Sequence, residues 1–272
     1  MAEIEKFNFG SDSVAKAYDS MLVPTLFEPW AKSLIKENQP WSGNYVLDLA
    51  CGTGVVTKEL AKNVTPKGKV IALDINEQMI ELAKLKCSEW ADHVEYIVGS
   101  AEVLEISDNS IDKVICQQGF QFFPNKKVVA QEIFRVLQPK GKAIFSTWCP
   151  VSECEIFGVI CNTLESLNLS NLSQLMRVPF DFLSQKDLLE SFNGIGFSNI
   201  HISKQEKAMF LNGDTDKVIT FAYSTPIGPK LNALSREVQA EFKSRLMDNA
   251  SKLKQKNGIV SQMASNILSV EK

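Results

Sequence analysis

A run from Val46 to Gly54, VLDLACGTG, ends an apolar segment in Asp48 and Leu49 and passes through Ala50, Cys51, Gly52, Thr53 and Gly54. An apolar strand that breaks at glycines and restarts as a helix is a device for holding a ligand. Glycine lets backbone approach without a Cβ in the way. In an open parallel sheet such a turn lies at the carboxyl edge, where ligands bind. Exposed amides at the helix start favour a negative ligand group. Asp74 ends a second apolar segment, KVIALD, 20 residues beyond Gly54. That spacing suits a carboxylate accepting hydrogen bonds from two ribose hydroxyls, an interaction worth about 1.5–3 kcal/mol. The competing reading is a cap on the helix that begins near Asn76. Together the two signals describe an adenosine nucleoside at a sheet edge without choosing a cofactor. A dinucleotide fingerprint, G-x-G-x-x-G/A, would need a small third residue where GTGVVT has Thr57, so it is incomplete.

Other chemistry is sparse. The six cysteines form no C-x-x-C pair and the histidines number two, His93 and His201, which argues against a metal site. The cysteines read as reduced thiols of a cytoplasmic protein. A net charge of −3 with scattered Lys and Arg offers no basic stripe for nucleic acid. No apolar run reaches membrane-spanning length, and MAEIEKFNFG is acidic and unlike a secretory signal.

The elements that must position the turn can be read from periodicity. Tyr45–Leu49, Lys69–Asp74, Val94–Val98, Ile111–Gln117 and Lys142–Trp148 read as strands. Val55–Asn63, Glu77–Cys87 and Lys126–Leu137 read as helices, the last stopped by Pro139 and Gly141. Such alternation predicts an α/β, doubly wound parallel sheet with helices on both faces. Three divisions are expected: an aromatic helical lid over 1–42, a nucleoside-binding core over 43–150, and the rest of the sheet with cap insertions over 151–272. The insertions fall at about 151–183, a helical run and then an irregular piece ending at Pro179, and about 206–258. Ser184 starts a capped helix through SQKD. Phe197–Lys204 and Ile259–Ser265 read as strands. Leu231, Leu234, Val238, Phe242 and Leu246 follow helical spacing.

The sequence resembles the Rossmann-like S-adenosylmethionine methyltransferases, in a subgroup close to quinone-biosynthesis and small-molecule enzymes. DLACGTG is similar to their glycine motif and LDINEQMI (Leu73–Ile80) to their ribose motif. GSAE (Gly99–Glu102) stands where they carry G-D-A-E, with Ser100 in place of the Asp. CQQGFQFFPN (Cys116–Asn125) is similar to their fourth-strand end, RVLQPKG to the segment before the fifth strand, and AYDSMLVPTLFEPWA (Ala17–Ala31) to the lid. The resemblance implies a mostly parallel seven-stranded Rossmann-like sheet and S-adenosyl-L-methionine as cofactor, with S-adenosyl-L-homocysteine as product. It implies that Asp48 and the backbone of Ala50, Cys51, Gly52, Thr53 and Gly54 cradle the methionine end. Asp74 would hold the ribose, Ile75 and Met79 would flank adenine, and Ser100, Ala101 and Glu102 would close that pocket. The Gln117 carbonyl would meet the methionine ammonium. Tyr18 would cover the carboxylate or, alternatively, only pack its helix.

Methyl transfer from a sulfonium needs alignment above all, a contribution of about 7–11 kcal/mol, and no general base is evident. Gln118, Gln121 and Phe122 are the candidates for orienting an apolar or aromatic small acceptor, with Tyr18. An NAD-dependent oxidoreductase and a non-catalytic cofactor-binding module stay open as rival classes.

Overall fold

The computed structural model describes residues 18–181 and 184–272. The chain divides into two compact units. Among the described residues, one comprises 27–147, 184–204 and 266–272; the other comprises 18–26, 148–181 and 205–265.

The first unit opens with helix α1 (Glu28–Glu37), which buries Trp30, Ala31, Leu34 and Ile35. Trp41 is buried beyond it, its indole N–H donating to the Ile35 carbonyl at 2.7 Å. The aromatic lid expected over 1–42 therefore divides. Residues from 28 onward serve this unit's own packing, Tyr18–Phe27 forms a π-helical stretch with Pro24 inside it, and residues 1–17 lie outside the described residues.

Strand and helix then alternate: β1 (Tyr45–Leu49), α2 (Val55–Val64), β2 (Lys69–Asp74), α3 (Glu77–Lys86), β3 (Val94–Val98), β4 (Ile111–Gln117), α4 (Lys126–Val136) and β5 (Leu137–Trp148). The strands are near-continuous apolar runs, as both faces of a parallel sheet are covered. Val46, Leu47 and Leu49 of β1 are fully buried. Short side chains fix the helix starts: Asn76 accepts from the Gln78 and Met79 amides, and Asn125 from Val128. β1 to β5 pair in parallel, and the whole sheet runs β3-β2-β1-β4-β5-β8-β6, with short β7 beside β8. The register brings Leu49, Asp74, Gln117 and Ser146 to one carboxyl edge, since Leu49 pairs with Leu73 and Gln117 with Ser146.

One sheet face carries an aromatic nucleus. Helix α7 (Gln185–Phe192) starts at the Ser184–Asp187 capping box foreseen from SQKD. Its Phe192 meets Phe120, Phe145 and Phe197 with ring centroids 4.9–5.6 Å apart. Phe134 meets Phe197 edge-on at 5.1 Å.

The second unit holds α5 (Glu155–Ser166), α6 (Ser170–Asp181), α8 (Asp216–Tyr223), α9 (Gly228–Asn232) and α10 (Arg236–Ala250), with β7 (Lys254–Gln255). Its apolar centre includes Phe157 against Phe180 and Phe221. Strands β6 (Ser198–Asn212) and β8 (Gly258–Glu271) contribute to both units. Four expectations need correction. The stretch before Pro179 is regular, because α6 continues through that proline to Asp181. The periodic run after Lys230 is two helices, broken where Ser235 caps α10 through the Val238 amide. β6 continues to Asn212 and β8 to Glu271, and the extensions bury Met209 and Leu211 in β6 and Leu268 and Val270 in β8. Helix α8 went unforeseen.

Replacing Phe192 with Ala would remove the ring that joins Phe120, Phe145 and Phe197. Urea unfolding followed by circular dichroism should show a loss of about 3–5 kcal/mol, the usual cost of deleting a fully buried aromatic.

Candidate functional site

The glycine turn is held by its neighbours. Ala50, Gly52 and Gly54 have φ of +59°, +54° and +81°, a left-handed run that lifts the chain off β1. The Cys51 amide donates to the Leu73 carbonyl at 2.9 Å. Asp74 supplies the main brace: its two carboxylate oxygens accept from the Gly52 and Asn76 amides, each at 2.9 Å. The helix-cap reading of Asp74 is thereby corrected, because Asn76 caps α3 with its own side chain. Each oxygen of a carboxylate has a second lone pair, so accepting from backbone leaves capacity for a ligand's hydroxyls. Burial pushes the Asp74 carboxyl above its ordinary value, opposed by these amide hydrogen bonds.

Asp48 lies one layer deeper and is 1% exposed. Thr57 donates its hydroxyl to it at 2.5 Å. Here is the reason for the incomplete dinucleotide fingerprint: the third position must carry a hydroxyl to satisfy a buried acid. Burial pushes the Asp48 carboxyl up to about 7, against the Thr57 hydrogen bond and with a smaller push from Asp74. Lys86 of α3 donates to the Thr53 hydroxyl at 3.0 Å. Gly119, after β4, closes against the turn from the other side. A Cβ there would come within 2.7 Å of the Ala50 Cβ.

The remaining expected cofactor residues fall along the same edge. Ile75 is 75% exposed and Met79 is buried. Val98, the β3 partner of Asp74, and Val103 are also exposed. Three apolar side chains open to solvent at the ends of β2 and β3 offer a surface for a flat heterocycle. Ser100 accepts from the Glu102 amide at 3.2 Å, Ala101 is buried, and Glu102 accepts from the Asn125 amide at 2.8 Å. Glu102 thus ties this turn to the start of α4. Sequence reading missed the clamp behind it. Arg135 donates to the Leu104 and Ile106 carbonyls, each at 2.8 Å, and pairs with Asp108 and Glu132, holding the loop between β3 and β4.

Past β4 the edge is polar and dry. Gln118 is buried at φ +56° and its amide donates to the Ser146 carbonyl at 2.9 Å. Gln117 donates its Nε2 to the Phe27 carbonyl at 3.1 Å, while its Oε1 is buried with no hydrogen-bond partner. Gln121, 2% exposed, has neither amide atom satisfied, and the hydroxyl of Ser146 is likewise unsatisfied at 0% exposure. An unsatisfied buried polar group costs about 1–3 kcal/mol, and such orphans mark places that serve a ligand. Phe122 is half-buried beside them. Tyr18, also half-buried, belongs to the other unit. Ser146 was not foreseen; a Ser-Thr pair inside the apolar KAIFSTW was its signal. The histidines are elsewhere: His93 precedes β3 and contacts the Gly68 carbonyl at 3.2 Å, and His201 is exposed on β6.

A left-handed glycine turn, an acid at the end of β2 and a dry polar edge after β4 in one parallel sheet set the frame for comparison. The family model described as the ubiE/COQ5 methyltransferase family matches residues 5–158. The chain belongs to the ubiE/COQ5 methyltransferase family. It is an S-adenosylmethionine-dependent methyltransferase, and the oxidoreductase alternative falls. The demethylmenaquinone methyltransferase of Lactococcus lactis subsp. lactis is 37% identical over 207 residues, 71% of this chain and 82% of that one. The ubiquinone/menaquinone biosynthesis C-methyltransferase UbiE of Hydrogenovibrio crunogenus is 34% identical over 156 residues, 56% of this chain and 61% of that one. Among solved structures, phosphoethanolamine N-methyltransferase 2 of Haemonchus contortus, in complex with S-adenosyl-L-methionine, aligns with a TM-score of 0.62 at 16% identity, over 97% of this chain and 58% of that one. At that identity the likeness speaks for the fold alone.

The turn of this ubiE/COQ5 family member also fits its cofactor physically. A Cβ built on Gly52 meets nothing within 4 Å, so the space beside that backbone is open, with the half-buried carboxylate of Asp74 bonded to its amide.

The raised Asp48 carboxyl makes stability depend on pH. Between the ordinary value of 3.8 and about 7 the unfolded chain ionises at Asp48 and the folded chain does not, so stability falls as pH rises through that window. Asp48→Asn keeps an acceptor for Thr57 and cannot ionise. Its melting temperature should exceed the wild type's at pH 8 and match it near pH 4, leaving the shallower slope that Asp74 contributes. Parallel melting curves across pH would contradict the assignment.

Proposed function

We propose that this methyltransferase places its methyl group on a ring carbon of a reduced, dihydroxy naphthoquinone-type small molecule. The observation that carries the reading is the 37% identity to a demethylmenaquinone methyltransferase across 71% of the chain. The unsatisfied Gln117, Gln121 and Ser146 atoms support it, since they ask for an acceptor with a few polar groups on an apolar body. When bound, S-adenosylmethionine supplies a methyl group already activated on a sulfonium. The chain's own work is then to seat and align. Asp48 and the backbone of Ala50 to Gly54 hold the methionine end, and Asp74 the ribose. Ile75 and Met79 flank the adenine, with Ser100, Ala101 and Glu102 closing its pocket. The Gln117 carbonyl meets the ammonium. Gln118, Gln121 and Phe122 orient the acceptor.

The segment Cys116–Asn125 contains no Asp, Glu, His or Lys, so the acceptor must arrive already nucleophilic. In the reduced ring the carbon next to a hydroxyl-bearing carbon is electron-rich; it takes the methyl as the sulfur leaves neutral and then loses its ring proton to water, whereas the same carbon in the oxidised quinone is electrophilic. Alignment without a base therefore selects the reduced form. The six buried cysteines, none in a disulfide, fit a reducing cytoplasm. Among the described residues no helix is long and apolar enough to cross a membrane.

The test is a transfer assay with 1,4-naphthoquinone, kept reduced by dithionite, and methyl-labelled S-adenosylmethionine. The expected product, after reoxidation, is 2-methyl-1,4-naphthoquinone carrying the label on carbon, with no product from the oxidised ring. Transfer to phosphoethanolamine and none to the reduced ring would overturn the reading. Tight cofactor binding without transfer to any acceptor would favour the non-catalytic module.

A further inference from the structure

The side chains of Gln117 and Ser146 are set up as one recognition element. The two residues are register partners on β4 and β5, so they stand side by side on the same face of the sheet, about 4.8 Å apart between strands. Their neighbours Cys116 and Phe145 point the other way, into the aromatic core. The hydrogen bond from Gln117 Nε2 to the Phe27 carbonyl, 3.1 Å, fixes which end of the amide faces the gap. It leaves Oε1, which can only accept. Ser146 Oγ beside it is fully buried and unsatisfied. Neither atom has a role in holding the fold together, and neither belongs to the backbone cradle of the cofactor.

We infer that Gln117 Oε1 and Ser146 Oγ together read an O–H group on the methyl acceptor. The hydroxyl donates to Oε1 and exchanges a second hydrogen bond with Oγ. The pair therefore discriminates a hydroxyl from an ether or a carbonyl, because either of those leaves Oε1 facing a second acceptor. Specificity of this kind is large because the site's buried polar atoms stay unpaired with the wrong ligand. The inference rests on the small-molecule acceptor proposed above and adds the residues that recognise its hydroxyl.

The test uses binding, so that it does not depend on turnover. 1-Naphthol and 1-methoxynaphthalene are titrated calorimetrically into the full chain saturated with S-adenosylhomocysteine. The wild type should prefer the naphthol by about tenfold, the value of one hydrogen bond to a buried partner. Gln117→Met should bind the two ligands alike, because the acceptor that tells them apart is gone, whereas Ser146→Ala should bind both about tenfold more weakly and keep the preference. The melting temperature of Ser146→Ala without ligand should not fall, since the substitution removes an unsatisfied hydroxyl. A wild type that does not distinguish the ligands, or binds neither, overturns the inference. So does a Gln117→Met variant that keeps the preference, or a Ser146→Ala variant that binds both ligands as tightly as the wild type. A preference for naphthol without methyl transfer to the reduced naphthoquinone upholds the pair and rejects the naphthoquinone reading alone.

Discussion

Two backbone amides, those of Gly52 and Asn76, converge on the carboxylate of Asp74, and the rest of the site is built around that meeting. Three left-handed residues in five, Ala50, Gly52 and Gly54, give a turn with little local stability. The carboxylate converts it into a fixed shape by bonding one amide before α2 and another before α3. The parallel pairing of β1 with β2 sets Leu49 opposite Leu73, so the acid arrives at the turn's own level. Gly119 presses against Ala50 from the β4 side. Sheet register, a pair of helix starts and one acid thus fix a surface that no single element could hold.

The same edge concentrates unfavourable electrostatics. Asp48 and Asp74 are both held above their ordinary carboxyl values by burial, and Gln117, Gln121 and Ser146 keep polar atoms away from both water and partners. The aromatic nucleus of Phe120, Phe145 and Phe192 on the opposite face offsets that cost. It also explains the spacing of CQQGFQFFPN: Phe120 anchors the segment in the core, and the glutamines around it are left for the edge. Strain and unsatisfied polarity collect where ligands bind, and packing elsewhere sustains them.

Much of this was legible in the residues. The strands Tyr45–Leu49, Lys69–Asp74, Val94–Val98 and Ile111–Gln117 stand where the apolar runs place them, because fully covered parallel strands need unbroken apolar sequence. The glycine turn and Asp74 were legible because backbone chemistry restricts the residue types there. The lengths of β6 and β8 were not, although their extensions bury Met209, Leu211, Leu268 and Val270, because a short apolar cluster reads equally as helix or strand. α6 runs through Pro179 against its usual breaking effect, held by buried Val178 and Phe180. The Arg135 clamp on Leu104 and Ile106 joins residues about thirty positions apart through carbonyls, which no side-chain pattern announces. Ser146 comes beside Gln117 only once β5 lies along β4.

The central claim is that Asp74 both shapes the glycine turn and holds the cofactor's ribose. The measurement that isolates the second role is calorimetric affinity for S-adenosylhomocysteine and for its 2′,3′-dideoxyribose counterpart, on the wild type and on Asp74→Asn. The wild type should lose about ten- to a hundredfold on removal of the hydroxyls, the value of a charged hydrogen bond or two, and Asp74→Asn should lose far less. An equal loss in both proteins would place the ribose elsewhere and leave Asp74 as a brace for the turn only.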